Sequence, residues 1–200
     1  PGGGPNIKVF SGADYTTVLY NFFAFESSFT GGVTLASADI NNDGYDDMLV
    51  GAGPGGGPRV TVFSGLNGAI ILDFFAFEST FTGGVNLAAG LIDGDSNYDI
   101  IVGAGAGGGP RIKVLSGANL AVIQDFFAYD PTFLGGVYVG SGNIGGGSFD
   151  KILVGAGAGG GPNVRVFDSG ANMVQNFFAY AVGFSGGVRV STGLMSPTST

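Results

Sequence analysis

Between Asp39 and Asp47 the chain reads Asp-Ile-Asn-Asn-Asp-Gly-Tyr-Asp-Asp, with oxygen-bearing side chains at positions 1, 3, 5 and 9: Asp39, Asn41, Asp43 and Asp47. Carboxylates held this close repel one another unless a cation lies among them. Ca2+ takes six to eight oxygens at about 2.4 Å in flexible geometry, and these side chains, the Tyr45 carbonyl and water can supply them. Gly44 permits the sharp turn that wraps the ligands round one point. The alternative is a solvated acidic β-turn. The equivalent loop from Leu91 to Asp99 keeps Asp93, Asp95 and Asp99 but has leucine for the first acid and Ser96 for the turn glycine, which makes a weaker second site. In the third loop the same positions are Asn143, Gly145, Gly147 and Lys151, so no anionic ligand is left and Lys151 opposes a cation. The fourth stretch, 194–200, has no acid.

Other chemistry is narrowly bounded. The chain has no histidine and no cysteine, so disulfides, thiolate metal sites and the usual nucleophile and base partnerships are absent. Carboxylate pairs of the glycosidase kind remain, but no pair stands apart from the metal loop, and an enzyme is not expected. The glycine runs lack the Lys-Ser/Thr and following helix of a phosphate loop. Fifteen acids against seven bases, a formal charge of −8, disfavour a phosphate-backbone partner, so no nucleic acid is expected. No apolar run approaches the ~20 residues of a membrane helix. Five bases follow the GGGP corners, as Lys8, Arg59, Arg111, Lys113 and Arg165, and Glu26, Glu78 and Asp130 follow FFAF or FFAY. Pairing between repeats is the simple reading, and a polyanion or glycan site the alternative. Exposed pairs contribute only about 0–1 kcal/mol each.

The loops are positioned by a repeat. Glycine runs close on Pro5, Pro58, Pro110 and Pro162, spaced 53, 52 and 52 residues apart. Glycine is a fifth of the chain without a collagen period, and between the runs lie β-branched and aromatic stretches able to form a core. Within one unit, VTLASADI alternates as a first strand and DMLVGAG reads as a second strand buried on both faces. RVTVF pleats as a third and AIILDFFAFE supplies a fourth. Four short strands in about 50 residues, with no helical period, predict one blade of an all-β propeller. Phe22, Phe74, Phe126 and Phe177 recur as packing knobs between blades. The expected organisation is a single repeat domain over 1–200, with repeats at 33–84, 85–136 and 137–187 and a fourth assembled from 1–32 and a C-terminal strand at 188–195. That blade lacks a second strand, giving fifteen strands where four full blades have sixteen.

Asp39 to Gly53, DINNDGYDDMLVGAG, resembles the FG-GAP or VCBS-type repeat of integrin α-subunit propellers and many bacterial secreted proteins. The GGGP, FFAF and FTGGV segments are more similar to bacterial members. The resemblance extends over nearly the whole chain, although only one repeat carries the acidic loop intact. It implies calcium that pins particular blades, a secreted or cell-surface location, and a non-enzymatic structural or adhesive role. A carbohydrate-binding propeller is the alternative, with carboxylate-dependent polysaccharide cleavage a third reading. Because the family usually closes with more than four blades, self-association or neighbouring repeats are the expected partners, with glycans as a further class.

Overall fold

A computed structural model describes residues 2–193, and over these it is all-β. A two-stranded sheet, β1 (Asn6–Phe10) and β2 (Val18–Phe23), is followed by three four-stranded antiparallel sheets. The first of these contains β3 (Val33–Ala38), β4 (Asp47–Ala52), β5 (Arg59–Phe63) and β6 (Ile70–Phe75). The next contains β7 (Val85–Gly90), β8 (Asp99–Ala104), β9 (Arg111–Leu115) and β10 (Val122–Phe127). The last contains β11 (Val137–Gly142), β12 (Lys151–Ala156), β13 (Asn163–Phe167) and β14 (Met173–Phe178). Strands pair in chain order within every sheet, which is the meander of a propeller blade. No helix long and apolar enough to cross a membrane is present among the described residues.

The strand signals act as the residue patterns require. Strand β8, DIIVGA, is buried along its whole length, as a continuous apolar run between two neighbours should be. The four outer hairpins share a register break, at Val9/Phe10, Val62/Phe63, Val122/Gln124 and Val166/Phe167, so the same bulge recurs in each repeat. Segment 188–193 differs from expectation. It follows β11 and β12, with the Val188 amide donating to the Ala156 carbonyl at 2.9 Å, but it forms no strand. No second strand lies beside it to complete a ladder, and residues 194 and 195 of the expected strand lie outside the described residues. Fourteen strands are therefore present among the described residues.

Apolar cores lie between sheets rather than inside one. Leu49, Val60 and Val62 of one sheet pack with Val85, Leu87, Ile100 and Val102 of the next. Ile101, Ile112 and Val114 pack likewise with Val137, Val139, Ile152 and Val154. The distance between sheets is set by glycine in the second strand. A Cβ on Gly51 would lie 2.7 Å from Val85 Cγ2, and one on Gly103 would lie 2.9 Å from Val139 Cγ1. One position pair later, a Cβ on Gly53, Gly105 or Gly157 would overlap the carbonyl oxygen of Gly31, Gly83 or Gly135 at the entry to the same blade.

A backbone contact cannot yield as a flexible side chain can, and overpacking of this kind destabilises by about 1–3 kcal/mol or more. Gly105→Ala is therefore expected to lower the unfolding free energy by an amount in that range, read as a lower urea midpoint at unchanged slope. Gly3→Ala, where a Cβ meets nothing within 4 Å, should leave it nearly unchanged. Equal midpoints for the two variants would show that the close approach at Gly105 is not required.

Candidate metal centre

The acidic loops all join the first strand of a sheet to the second: 39–46 between β3 and β4, 91–98 between β7 and β8, and 143–150 between β11 and β12. In the first loop the side chains fold the backbone about themselves. The Asp43 amide donates to Asp39 Oδ1 at 3.0 Å and Asn41 Oδ1 at 3.1 Å, the Gly44 amide to Asp39 Oδ2 at 2.9 Å, and the Tyr45 amide to Asp43 Oδ1 at 3.0 Å. Two left-handed residues make the curl, Asn42 at φ 56° and Gly44 at φ 89°. Asparagine and glycine are the types that tolerate this region.

Asp47 has a second role that its spacing does not reveal. It is fully buried, with Oδ2 accepting the amides of Ile40 at 3.0 Å and Asn41 at 3.4 Å, and Oδ1 accepting the Gly65 amide at 3.0 Å. The carboxylate thus ties the acidic loop to the turn between β5 and β6. A buried charge needs such donors, because leaving it unsolvated is strongly unfavourable.

The second loop keeps half of that latch. Asp99 Oδ2 accepts the amides of Ile92 at 2.9 Å and Asp93 at 3.2 Å, while its buried Oδ1 makes no hydrogen bond of full geometry, although the Gly117 amide, the counterpart of Gly65, approaches the carboxylate. Oxygens of Asp93, Asp95 and Asp99 all lie within 4.8 Å of one another. Burial pushes the Asp99 carboxyl above the ordinary range, opposed by the Ile92 amide and assisted by the charge of Asp93. Hydrogen bonds from Asn97 hold Asp95 low and therefore anionic. Three carboxylates gathered in one loop are a donor set that a hard cation fits. The sequence ranks the first loop above the second, yet the second is where three carboxylates gather among the described residues. In the first, Asp39 is turned onto amides and Asn41 stands where the second loop has Asp93. Gly94, at φ 92°, makes the left-handed turn in the place of Asn42, whereas Ser96, in the place of Gly44, is not left-handed.

In the third loop Lys151 occupies the position of Asp47 and Asp99. Its ammonium group donates to the carbonyls of Ile144 and Gly146, while Asn143 Nδ2 donates to the Gly147 carbonyl at 2.9 Å. A tethered cation thus gathers this loop's oxygens. The loops also touch each other, through Asn42 to Asn97 and through Leu91 to Asp150, whose carboxylate accepts the Leu91 amide at 3.0 Å.

The repeated bases divide into two kinds. Arg59 pairs with Asp73 of its own sheet at 2.8 Å and with Glu26 of the preceding sheet at 3.4 Å, and Arg111 repeats this with Asp125 at 2.8 Å and Glu78 at 3.0 Å. The arginines hold the Asp73 and Asp125 carboxyls below the ordinary range. Asp130 lacks such a partner because Asn163 stands at the arginine position, and it bonds Thr132 instead. At the second kind of position, Lys113 Nζ donates to the Ala76 carbonyl at 2.6 Å and Arg165 Nη1 to that of Ala128 at 2.7 Å. The inner strands bring together residues that sequence reasoning passed over. Thr34, Asn86, Tyr138 and Arg189 line one axial cavity of about 350 Å³, with the Arg189 guanidinium 4.6 Å from the Tyr138 ring centroid. Their signal in the sequence is variation at one position between invariant glycines and valines.

The pattern of the FG-GAP repeat matches residues 31–69, which hold β3, β4, β5 and the first acidic loop. The chain carries an FG-GAP repeat. Three four-stranded meanders, the first of them carrying that repeat, and one two-stranded sheet make this an all-β, propeller-type fold. Among proteins of curated function none matches the chain.

The burial of the Asp99 carboxyl carries a pH signature. An acid whose folded pKa is raised above its unfolded value lowers stability as pH rises from the unfolded value through the folded one, and the loss is complete above it. In chelator, the urea midpoint is therefore expected to fall relative to that of Asp99→Asn as pH rises through and just above the ordinary aspartate range, on top of the rise contributed by the acids held low, such as Asp73 and Asp125. An unchanged slope in Asp99→Asn would assign the titration to another group.

Proposed function

We propose that this chain is a non-enzymatic structural or adhesive propeller module of the cell exterior, made rigid by calcium in its acidic loops and associating with further copies or neighbouring repeats. The observation that carries the reading is the gathering of Asp93, Asp95 and Asp99, whose carboxylate oxygens lie within 4.8 Å of one another. The third loop supports it, because Lys151 brings its own cation to the same place. Each loop joins two adjacent strands, so an ion there stiffens the inner half of a blade. The first loop takes its ion through Asp39, Asn41, Asp43, Tyr45 and Asp47, the second through Asp93, Asp95 and Asp99. Extracellular modules bind calcium at roughly 10⁻⁴ to 10⁻³ M, a range suited to few and partly engaged carboxylates.

A scaffold role fits the remaining side chains. Acids outside the loops are engaged with arginine or with turn amides, as Asp73, Asp125 and Asp168 are. With neither histidine nor cysteine in the sequence, the groups that ordinarily run proton transfer and nucleophilic attack are missing. The family to which the repeat belongs serves mainly in such exterior modules.

Calcium binding to the folded state alone adds RT ln(1 + [L]/Kd), about 2.7 kcal/mol at a hundredfold excess over Kd. Thermal unfolding is expected to move up in calcium relative to chelator. Asp95→Ala and Asp43→Ala, both at exposed positions, should each reduce that increment and change the midpoint in chelator little. A loss of equal size in calcium and in chelator would make the loops plain turns.

A further inference from the structure

Three junctions between consecutive sheets are built from one set of contacts. At the first, Phe22 packs on Phe63 with ring centroids 4.7 Å apart, and the Tyr20 hydroxyl donates to the Gly65 carbonyl at 3.0 Å. At the second, Phe74 packs in the core that holds Leu115, and Lys113 donates to the Ala76 carbonyl with its Nζ 5.3 Å from the Phe77 ring centroid. At the third, Phe126 packs on Phe167 at 4.9 Å, and Gln124 Nε2 donates to the Ser169 carbonyl at 2.5 Å. There Arg165 donates to the Ala128 carbonyl and lies 4.7 Å from the Tyr129 ring centroid. The third junction thus joins a preceding face, made of a phenylalanine, a donor two residues before it and an aromatic–carbonyl pair, to a following face with its own apolar residue, carbonyl and cation; the first has Thr61 in place of the cation and the second Leu72 in place of the donor.

The structure holds one further copy of each face, and the two do not touch. The last sheet presents the preceding kind: Gln175, Phe177, the Ala179 carbonyl and Tyr180 stand where Gln124, Phe126, Ala128 and Tyr129 stand one repeat earlier. The first sheet presents the following kind: Lys8, Phe10 and the Gly12 carbonyl correspond to Arg165, Phe167 and the Ser169 carbonyl. Where Phe63, Leu115 and Phe167 are each 5% exposed, Phe10 is 49% exposed, and Phe177 is also 49% exposed. Strand β14 is exposed at every residue, and Lys8 has no hydrogen-bond or ion-pair partner among the described residues. The faces also match in what they lack. Ala181 replaces the acid found at Glu26 and Glu78, and Asn6 replaces the arginine found at Arg59 and Arg111. Joining them therefore strands no charge.

We propose that the β14 face docks onto the β1 face of a second copy of this chain, head to tail. In that contact Phe177 packs on Phe10, Gln175 donates to the Gly12 carbonyl, and Lys8 donates to the Ala179 carbonyl above the Tyr180 ring. The proposal rests on the reading of the chain as an associating module and gives that association its residues and polarity. A second copy is the occupant because one molecule carries both halves of the third junction's contact, Gln175, Phe177 and Tyr180 on one face and Lys8 and Phe10 on the other. A contact between two different faces is heterologous and adds copies in one direction.

The absence of cysteine allows a direct test. Phe10→Cys and Phe177→Cys are made separately, at exposed positions that spare the cores, and treated with a short bismaleimide. Mixed, they are expected to give a product of twice the monomer mass, and alone almost none. A product from Phe177→Cys alone would overturn the head-to-tail polarity. An internal link in the double variant, with none in the mixture, would overturn the second copy and show that the chain closes on itself. Light scattering separates the two levels of the argument. Higher mass without either crosslink overturns this contact and leaves association standing, whereas a monomer at every concentration overturns both.

Discussion

The structure depends on how closely one backbone can approach another where strands enter and leave a blade. Gly53, Gly105 and Gly157 lie against the carbonyls of Gly31, Gly83 and Gly135 so tightly that no side chain fits, and their amides donate to Gly32, Gly84 and Gly136 at 2.9–3.0 Å. That contact brings the first strand of the next blade over Gly51 and Gly103, and so sets the depth of the apolar seams. Corner amides then reach across each seam. Gly2, Gly55, Gly107 and Gly159 donate at 2.8 Å to the carbonyls of Thr30, Thr82, Leu134 and Ser185. A sheet that buries its faces only against neighbours has little independent stability, so the fold is a sum of near-identical seams.

The acidic loops solve one electrostatic problem in three ways. Asp47 satisfies both carboxylate oxygens with amides, one of them from the Gly65 turn. Asp99 engages Oδ2 with the amides of Ile92 and Asp93 and joins Asp93 and Asp95 in a carboxylate cluster. Lys151 reverses the sign and draws in carbonyls. The three repeats thus range from an amide-filled latch, through an anionic cluster, to a built-in cation. Only the strand geometry around the loop stays constant.

Much of this was legible from residue order. The period of the prolines marked the repeats, alternation marked the strands, and the uninterrupted apolar run DIIVGA marked a strand buried throughout. What order hid were partners distant in the chain. The Gly65 amide that engages Asp47 lies in another turn, and spacing within the loop shows only a ligand-like carboxylate. Arg59 and Arg111 were expected to pair between repeats, and they do, yet their shorter contacts are to Asp73 and Asp125 across their own hairpins. Lys151 looked like a residue that excludes a cation, and side-chain direction made it a substitute for one. Phe177 reads like Phe22, Phe74 and Phe126 but is half exposed, because a knob's burial is decided by the sheet opposite it. The C-terminal stretch 188–193 has strand composition and no ladder, since a strand needs a partner as well as a pattern.

The central claim is that cations stiffen the loops between first and second strands, supplied from solution in two repeats and by Lys151 in the third. Amide hydrogen exchange of the intact chain, compared in calcium and in chelator, reads each loop separately. The account predicts that calcium slows exchange in 39–47 and 91–99 and leaves 143–151 unchanged. Equal slowing in all three loops, or no slowing in the two acidic ones, would contradict it.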